Sequence, residues 1–292
     1  MSIINRFLLL CLVLIDFIAC NSKLNYWQKS GIVFGTSYTI VIEATQKQDL
    51  STIEKEIFNI FNKIDRAFSL YRDDSKIVQL NKNQLVLFDQ EEIKVFLLSQ
   101  EICLKTKAYF FPYKRKLLGQ IPLPNEENYP KICNLFSVET FRNQYIIKKS
   151  YPFVEFDLNA IAKGYAVDLI KKLLIENSYP SFLIEIGGEI CVGNPSKKSP
   201  KGWRVLLESS SSDHLNKQFS QELHLHNICL ATSGNYYQLH IFNPYNNTIT
   251  KKNRVVTVLG PSCAISDAYA TYIYLTDNFE LYSQEYQVLI HP

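Results

Sequence analysis

The chain has 292 residues, of which 47% are apolar and 20% charged, a composition that excludes a disordered or fibrous protein and indicates a globular one with a substantial core. A formal net charge of +3, with no basic helix, zinc-finger spacing or internal repeat, makes no case for nucleic acid as a partner. Only 10 glycines beside 18 tyrosines and 18 phenylalanines point to a strand-rich interior.

At the N-terminus Arg6 precedes an apolar run from Phe7 to Ile15 that is too short to span a bilayer. The run ends in Phe17-Ile18-Ala19-Cys20, so residues 1–19 read as a secretory signal peptide with small Ala19 before the cut. The Cys at the cut resembles a bacterial lipobox. That implies a lipidated Cys20 anchoring the chain to the membrane of the bacterial cell envelope, facing the extracytoplasmic side. Cleavage by an ordinary signal peptidase and an uncleaved short anchor are the competing readings. Residues 20–30 read as a tether and 31–292 as one domain. Beyond Cys20 there are Cys103, Cys133, Cys191, Cys229 and Cys263. Their odd number and the lack of a Cys-x-x-Cys argue against structural zinc. A disulfide is open to them, without a pairing that spacing can choose, and the expectation is small buried hydrophobes.

Ile32 to Glu43 alternates like a strand, with Gly35-Thr36 inside it. Leu50 to Ile64 is helical, with Ile53, Ile57, Ile60, Phe61 and Ile64 on one face. Asp65 to Asn81 carries turn chemistry leading to a short helix capped by Ser75, and Glu91 to Lys107 is a further helix. Tyr109 to Asn134 contains Pro112, Pro122, Pro124 and Pro130, which predicts a loop-rich excursion over the ligand site. Val138 to Lys148 and Tyr151 to Phe156 read as strands. Asp157 to Gly164 is then the turn at which a strand hands over to a helix that continues through Asp168 to Asn177. Ser181 to Ile190 is a strand interrupted by Gly187-Gly188. Trp203 to Glu208 and Glu222 to Ala231 are strands around a serine-rich tip, Ser209 to Ser212. Gln238 to Phe242, Val255 to Leu259 and Gln287 to Ile290 are strands, and Ser266 to Tyr274 a helix. With no clean βαβ repeat, the fold class is α+β: a single domain of mixed or antiparallel sheets with flanking helices.

Chemistry concentrates in a few places. The Asp157–Gly164 turn exposes amides near a helix N-terminus, Lys163 adds positive charge and Gly164 permits close backbone approach, which suits an anion such as a nucleotide phosphate. A plain strand-loop-helix joint is the competing reading. Asp267 and Thr271 are four apart, share a helix face and offer the hard oxygens that Mg²⁺ prefers, unless Asp267 caps the helix and Thr271 faces the core. Gly187-Gly188 suggests a bulge, with or without a ligand. His240 lies in a strand just before Asn243-Pro244, and His224 and His226 form a surface-facing pair on one strand face.

Taken in order, these segments resemble the ApbE-type FAD:protein FMN transferases. Gly35-Thr36 matches the family's first strand, and Phe68 to Ser75 with Asn81 its Ser-x-Tyr-x-x-x-Ser segment and following Asn. Asp157 to Asp168 matches Asp-Leu-Gly-Gly-Ile-Ala-Lys-Gly-Tyr-Ala-x-Asp, and Ile186 to Ile190 its paired-glycine strand. Ala231 to Tyr236 matches its Ser-Gly-Asp/Asn-Tyr turn, and Ser266 to Thr271 its Ala-Asp-Ala-x-Ala-Thr helix. The resemblance implies that Phe34, Tyr71, Asp157, Lys163 and Ile241 contact FAD, together with the segment Tyr109, Phe110 and Phe111. It implies that the Ala160 carbonyl, Asp267 and Thr271 hold Mg²⁺.

Two segments depart from the family pattern. Ala108 to Tyr113 stands where the family has Gly-x-Phe-Asp-x-Thr, so an Asp and a Thr are missing from a FAD-contacting stretch. Leu239 to Asn247 stands for Ser-His-Ile-x-Asp-Pro-x-x-Gly, so the His is kept and the Asp is Asn243. The implied reaction is Mg²⁺-dependent transfer of FMN from FAD to a threonine hydroxyl of an acceptor protein, such as a membrane redox-pump subunit, with release of AMP. His240 is the general-base candidate, with Lys163 stabilising the phosphates. The alternatives are a Mg²⁺-dependent FAD pyrophosphatase, in which water replaces the threonine, and a lipoprotein that binds FAD without turning it over.

Overall fold

The computed structural model describes residues 24–45, 49–209, 219–234, 241–279 and 285–291. Strands β1 (Leu24–Val33) and β2 (Thr36–Thr45) pair along their whole length about a two-residue turn, Phe34-Gly35. Both turn residues have positive φ, 53° and 75°, as a tight hairpin with the right twist requires. The single strand expected from Ile32 to Glu43 is therefore two strands, and Gly35 forms the turn between them. β1 also absorbs residues 24–30, which were expected to be tether. Trp27 packs against the core, the Tyr26 hydroxyl meets Ser196, and Lys29 lies 2.7 Å from Glu54. Two aromatic side chains bury too much apolar surface for this stretch to stay free in water.

Helix α1 (Ser51–Phe68) buries Ile53, Ile57, Phe61 and Ile64 of the expected stripe, with Ile60 half-buried, and runs a turn further than predicted to bury Phe68. Helix α2 (Lys76–Asn81) starts at Ser75, whose Oγ accepts from the Val78 amide at 3.3 Å. Helix α3 (Gln90–Lys105) is closed by an Asp89/Glu92 capping box. The proline-rich stretch yields a 3-10 turn (Arg115–Gly119) and the short helix α4 (Tyr129–Cys133), tied to α3 by the disulfide Cys103–Cys133. Strands β3 (Phe136–Phe141) and β4 (Gln144–Lys149) form a hairpin about Arg142-Asn143, where one strand was expected. Tyr151 to Phe156 is not a strand. Pro152 removes a ladder donor, and the Asn81 side chain takes both main-chain groups of Phe156: the Phe156 amide donates to Oδ1 at 2.7 Å and Nδ2 donates to the carbonyl at 3.0 Å. That clamp holds the chain extended into α5 (Asn159–Glu176), which begins inside the segment expected to be a turn.

Strands β5 (Phe182–Ile186) and β6 (Glu189–Val192) form a hairpin at Gly187-Gly188, so the paired glycines make a reversal rather than a bulge. Strands β7 (Trp203–Glu208) and β8 (Phe219–Leu225) make a separate ribbon, followed by β9 (Ile228–Ser233). The strand expected from Glu222 to Ala231 thus breaks at Asn227, whose φ is 49°. The remaining elements are the two-residue strands β10 (Phe242–Asn243) and β11 (Thr248–Ile249), then β12 (Val255–Gly260), α6 (Cys263–Thr276) and β13 (Gln287–His291). Part of the strand expected over Gln238–Phe242 lies outside the described residues.

A seven-stranded sheet, ordered β1-β2-β5-β6-β9-β12-β13, organises the rest, and each neighbouring pair is antiparallel. This is the α+β class expected. β12 is buried along its whole length because both of its faces are covered. Val256 and Val258 pack with α6, while Leu259 joins Leu230, Val205 and Leu207 beneath the β7–β8 ribbon. The cysteines do more than fill space. Cys191 and Cys229 face each other across β6 and β9 and form a disulfide, leaving Cys263 as a buried free thiol.

Helices α5 and α6 cross at Gly164. A Cβ there would lie 2.7 Å from the Ala264 Cα and 2.8 Å from its amide nitrogen. Gly164 therefore serves helix packing and not, as expected, the approach of a ligand. One turn later Asp168 receives the free N-terminus of α6. The Cys263 and Ala264 amides donate to it at 2.8 and 3.1 Å, and the Ser262 hydroxyl at 2.7 Å. Gly164→Ala should destabilise the fold by about 1–3 kcal/mol through overpacking against backbone. Denaturant unfolding would read this as a lower midpoint at an unchanged slope.

Candidate active site

The α5–α6 crossing fixes the floor of a cavity of about 1100 Å³. Asp157, just before α5, and Ala160 and Lys163, near the start of that helix, reach it. Asp157 Oδ1 accepts from the Asn159 amide at 3.1 Å, and burial raises its pKa against the pull of that amide and of Lys114. The Lys163 ammonium donates to Glu189 Oε1 from the β5–β6 hairpin. Burial alone would lower the Lys163 pKa, but the Glu189 and Asp267 carboxylates hold it above its usual value.

Asp267 and Thr271 both line the cavity from α6, on one helix face as their spacing requires. Ser262 caps α6, its Oγ accepting from the Ile265 amide at 3.3 Å, so Asp267 is not a cap. Thr271 Oγ1 lies 2.9 Å from Ser233 Oγ at the end of β9. Asp267 is 8% exposed and Glu189 5% exposed, yet Asp267 Oδ2 and Glu189 Oε2 have no hydrogen-bond partner among the described residues. Buried carboxylate oxygens are ordinarily satisfied, and here two are orphaned beside a hydroxyl pair. An all-oxygen donor set of this kind fits a hard divalent cation such as Mg²⁺. A second grouping of ligating atoms among the described residues, Asp168 with Cys191 and Cys229, is committed to the α6 cap and to the disulfide.

The walls are aromatic. Phe34 at the β1–β2 turn, Tyr71 after α1, and Tyr109, Phe110 and Phe111 all line the cavity, as do Ile241 and Phe242. Phe110 is buried at 2% exposure, whereas Tyr71 is 91% exposed at the rim. The β10–β11 hairpin closes one side against the proline-rich loop. Tyr245 stacks on Tyr109 at 4.3 Å, and Arg115 donates to Asn247 Oδ1 at 2.8 Å while lying over Phe242. Both departures in this region have local explanations. Asn243 Oδ1 accepts from the Tyr245 amide at 2.9 Å, an Asx-turn contact that an amide makes as well as a carboxylate, and Asn247 takes φ 54°. Phe111 packs edge-on to Tyr113 and Phe242, so where the family pattern places polar groups this chain has an apolar wall.

Every expected FAD or metal residue is thus brought to one cavity, while His240 lies outside the described residues, immediately before Ile241. His224 sits exposed on β8 beside Glu222, and His226 follows the end of that strand, so the two do not share a strand face. Glu189, Arg115 and Phe242 line the cavity and were not among the expected site residues. For Glu189 the available signal was a carboxylate directly after paired glycines at a strand hinge.

Burial, then the Glu189 carboxylate, push Asp267 up to about 8, with Lys163 pulling it back. Because the folded pKa exceeds the unfolded one, Asp267 adds stability below the unfolded value of about 4 that is lost as pH rises towards 8. In chelator, Asp267→Asn should remove this component. Melting profiles from pH 5 to 8.5 should therefore fall less steeply for the variant than for the parent, and parallel profiles would contradict the shift.

Comparison with known proteins gives a consistent result. The profile of the ApbE family matches residues 34–285. A protein named FAD:protein FMN transferase from Chlamydia muridarum is 26% identical over 275 residues, covering 82% of this chain and 81% of its own. One of the same name from Vibrio cholerae is 26% identical over 280 residues, covering 86% and 82%. The solved structure of the flavin transferase ApbE from Vibrio cholerae superposes with a TM-score of 0.71 at 19% identity, covering 92% of this chain and 98% of that one. The ApbE protein of Thermotoga maritima gives 0.73 at 20% identity, covering 91% and 94%. With its fold matched and the family profile spanning most of its length, the chain belongs to the ApbE family.

Proposed function

We propose that this chain transfers FMN from FAD to a threonine hydroxyl of an acceptor protein, releasing AMP, in a reaction that requires Mg²⁺. The observation that carries this reading is the meeting of an aromatic-walled cavity of about 1100 Å³ with a buried charge cluster holding two orphaned carboxylate oxygens. The space suits a dinucleotide, and the oxygens suit the cation that a diphosphate brings. The relatives named FAD:protein FMN transferase support the same reaction.

In this reading Phe34, Tyr71, Tyr109, Phe111 and Ile241 give apolar faces to the two ring systems of FAD. Lys163 and the first turn of α5 face the diphosphate. The threonine Oγ forms a bond to the FMN-side phosphorus as that phosphorus loses its bond to the bridging oxygen, whose electron pair leaves with AMP. The hydroxyl proton passes to His240, the base candidate adjoining Ile241. Held by Asp267, Thr271 and the Ala160 carbonyl, Mg²⁺ would neutralise charge developing on the phosphates.

We also infer lipid anchoring at Cys20 in the bacterial envelope, with an acceptor of that compartment such as a membrane redox-pump subunit. β1 begins at Leu24, so only Asn21 to Lys23 would separate the anchor from the sheet.

Flavin-free protein incubated with FAD, Mg²⁺ and a threonine-bearing acceptor should release AMP and leave flavin fluorescence on the denatured acceptor. AMP with free FMN alone would indicate the pyrophosphatase, and intact FAD a binding protein. Asp267→Ala should lower Mg²⁺-dependent AMP release by roughly a hundredfold or more, because charge neutralisation at phosphorus is worth several kcal/mol. Asn243→Asp should change neither melting temperature nor turnover appreciably, since the turn contact to Tyr245 persists.

A further inference from the structure

Glu189 occupies a position that the sheet pattern reserves for an apolar side chain. In the β5–β6 register Ile186 stands opposite Glu189 and Ile184 opposite Cys191, so all four point to one face. Ile184, Ile186 and Cys191 are fully buried there, and α5 and α6 both pack on β6 from that side. A carboxylate in such a place carries a large desolvation cost unless it is compensated. Lys163 compensates one oxygen, Oε1. The other, Oε2, finds no donor among the described residues, and neither does Oδ2 of the neighbouring Asp267; the two carboxyl groups can hydrogen-bond to each other only while Asp267 keeps its proton. Once Asp267 ionises, holding Lys163 satisfies only one of the two Glu189 oxygens.

The charges lead to the same place. With both carboxyl groups ionised, Glu189, Asp267 and Lys163 together carry one net negative charge. A divalent cation turns that into one net positive charge, which the diphosphate of a dinucleotide then meets.

We propose that Glu189 is a carboxylate of the cation site, sharing its two oxygens between Lys163 and the divalent cation that Asp267 and Thr271 receive. This rests on the Mg²⁺ dependence proposed above and adds a residue to it. Glu189 then couples the two positive groups of the site. The same side chain that draws in the cation keeps the Lys163 ammonium a fixed distance from it, so both reach the diphosphate in one arrangement. The β5–β6 turn positions it. A Cβ on Gly187 would meet Thr36 Cγ2 at 2.6 Å, so glycine there lets the hairpin tip tuck against the β1–β2 turn, with Glu189 two residues behind it.

The test is calorimetric titration of Mg²⁺ into the flavin-free chain at pH 9, above the range in which protons compete at Asp267, with melting curves in chelator to establish folding. Glu189→Gln keeps the size and the acceptor for Lys163 but removes the charge, and should weaken Mg²⁺ binding on the order of 10- to 100-fold. Glu189→Asp keeps the charge but retracts it, and should fall between the parent and the Gln variant. Binding by Glu189→Gln within twofold of the parent would overturn the proposal, as would Glu189→Asp binding no better than Glu189→Gln. If Glu189→Gln fails to fold, parent-like affinity in Glu189→Asp overturns it instead. Absence of Mg²⁺ binding in the parent chain would be a different failure, that of the cation-dependent reading itself.

Discussion

The site depends on how closely two helices can approach. α5 and α6 cross where Gly164 leaves no side chain between their backbones, and Asp168 locks the crossing by accepting three donors at the start of α6. Burial raises the Asp168 pKa, but the Cys263, Ser262 and Ala264 donors and Lys171 draw it back. Because Asp157 leads into α5, which carries Lys163, and α6 carries Asp267 and Thr271, the crossing sets the distance between the Lys163 and Asp267 sides of the cavity. A shift of one helix along the other would separate them, and close-packed interiors accept no such continuous adjustment.

The chemistry is stored in a region that the fold would otherwise fill with apolar side chains. Glu189, Asp267 and Lys163 are packed among fully buried residues, and two carboxylate oxygens go unmatched. Unpaired buried charge of this sort opposes folding. It persists because the large aromatic core around Phe68, Phe88, Phe96 and Phe156 and the two-sided cover of β12 stabilise the scaffold independently. A ligand that matches the unmatched oxygens would stabilise the whole protein by mass action.

Much of this arrangement was legible in the sequence because its signals are local. The α1 stripe, the Ser75 cap, the i,i+4 relation of Asp267 to Thr271 and the proline-dense loop each depend on residues close in the chain. The errors share a cause as well. The stretches expected as single strands at Ile32–Glu43, Val138–Lys148 and Ser181–Ile190 proved to be hairpins, because two residues of positive φ reverse a chain without interrupting its β-forming character. Gly164 was legible as a close approach, but not as an approach to Ala264, about a hundred residues away in sequence. Glu189 escaped because nothing beside it indicates burial. Its setting is made by α5 and α6, and the disulfide partners likewise meet only through the pairing of β6 with β9.

That second disulfide bears on how the chain can vary. Cys191 and Cys229 are 38 residues apart in sequence and directly opposed in the sheet. Between them runs the β7–β8 ribbon, while Glu189 lies just before the first cysteine and Ser233 just after the second. The cross-link closes the ribbon into a loop whose ends are fixed covalently, so the spacing of β6 and β9 does not depend on the length of that loop. Closure entropy grows only slowly with loop length. The connection between β7 and β8 is therefore a place where insertions, deletions or a grafted segment can accumulate without moving the carboxylate and hydroxyl on either side, so long as Val205 and Leu207 keep their cover of β12.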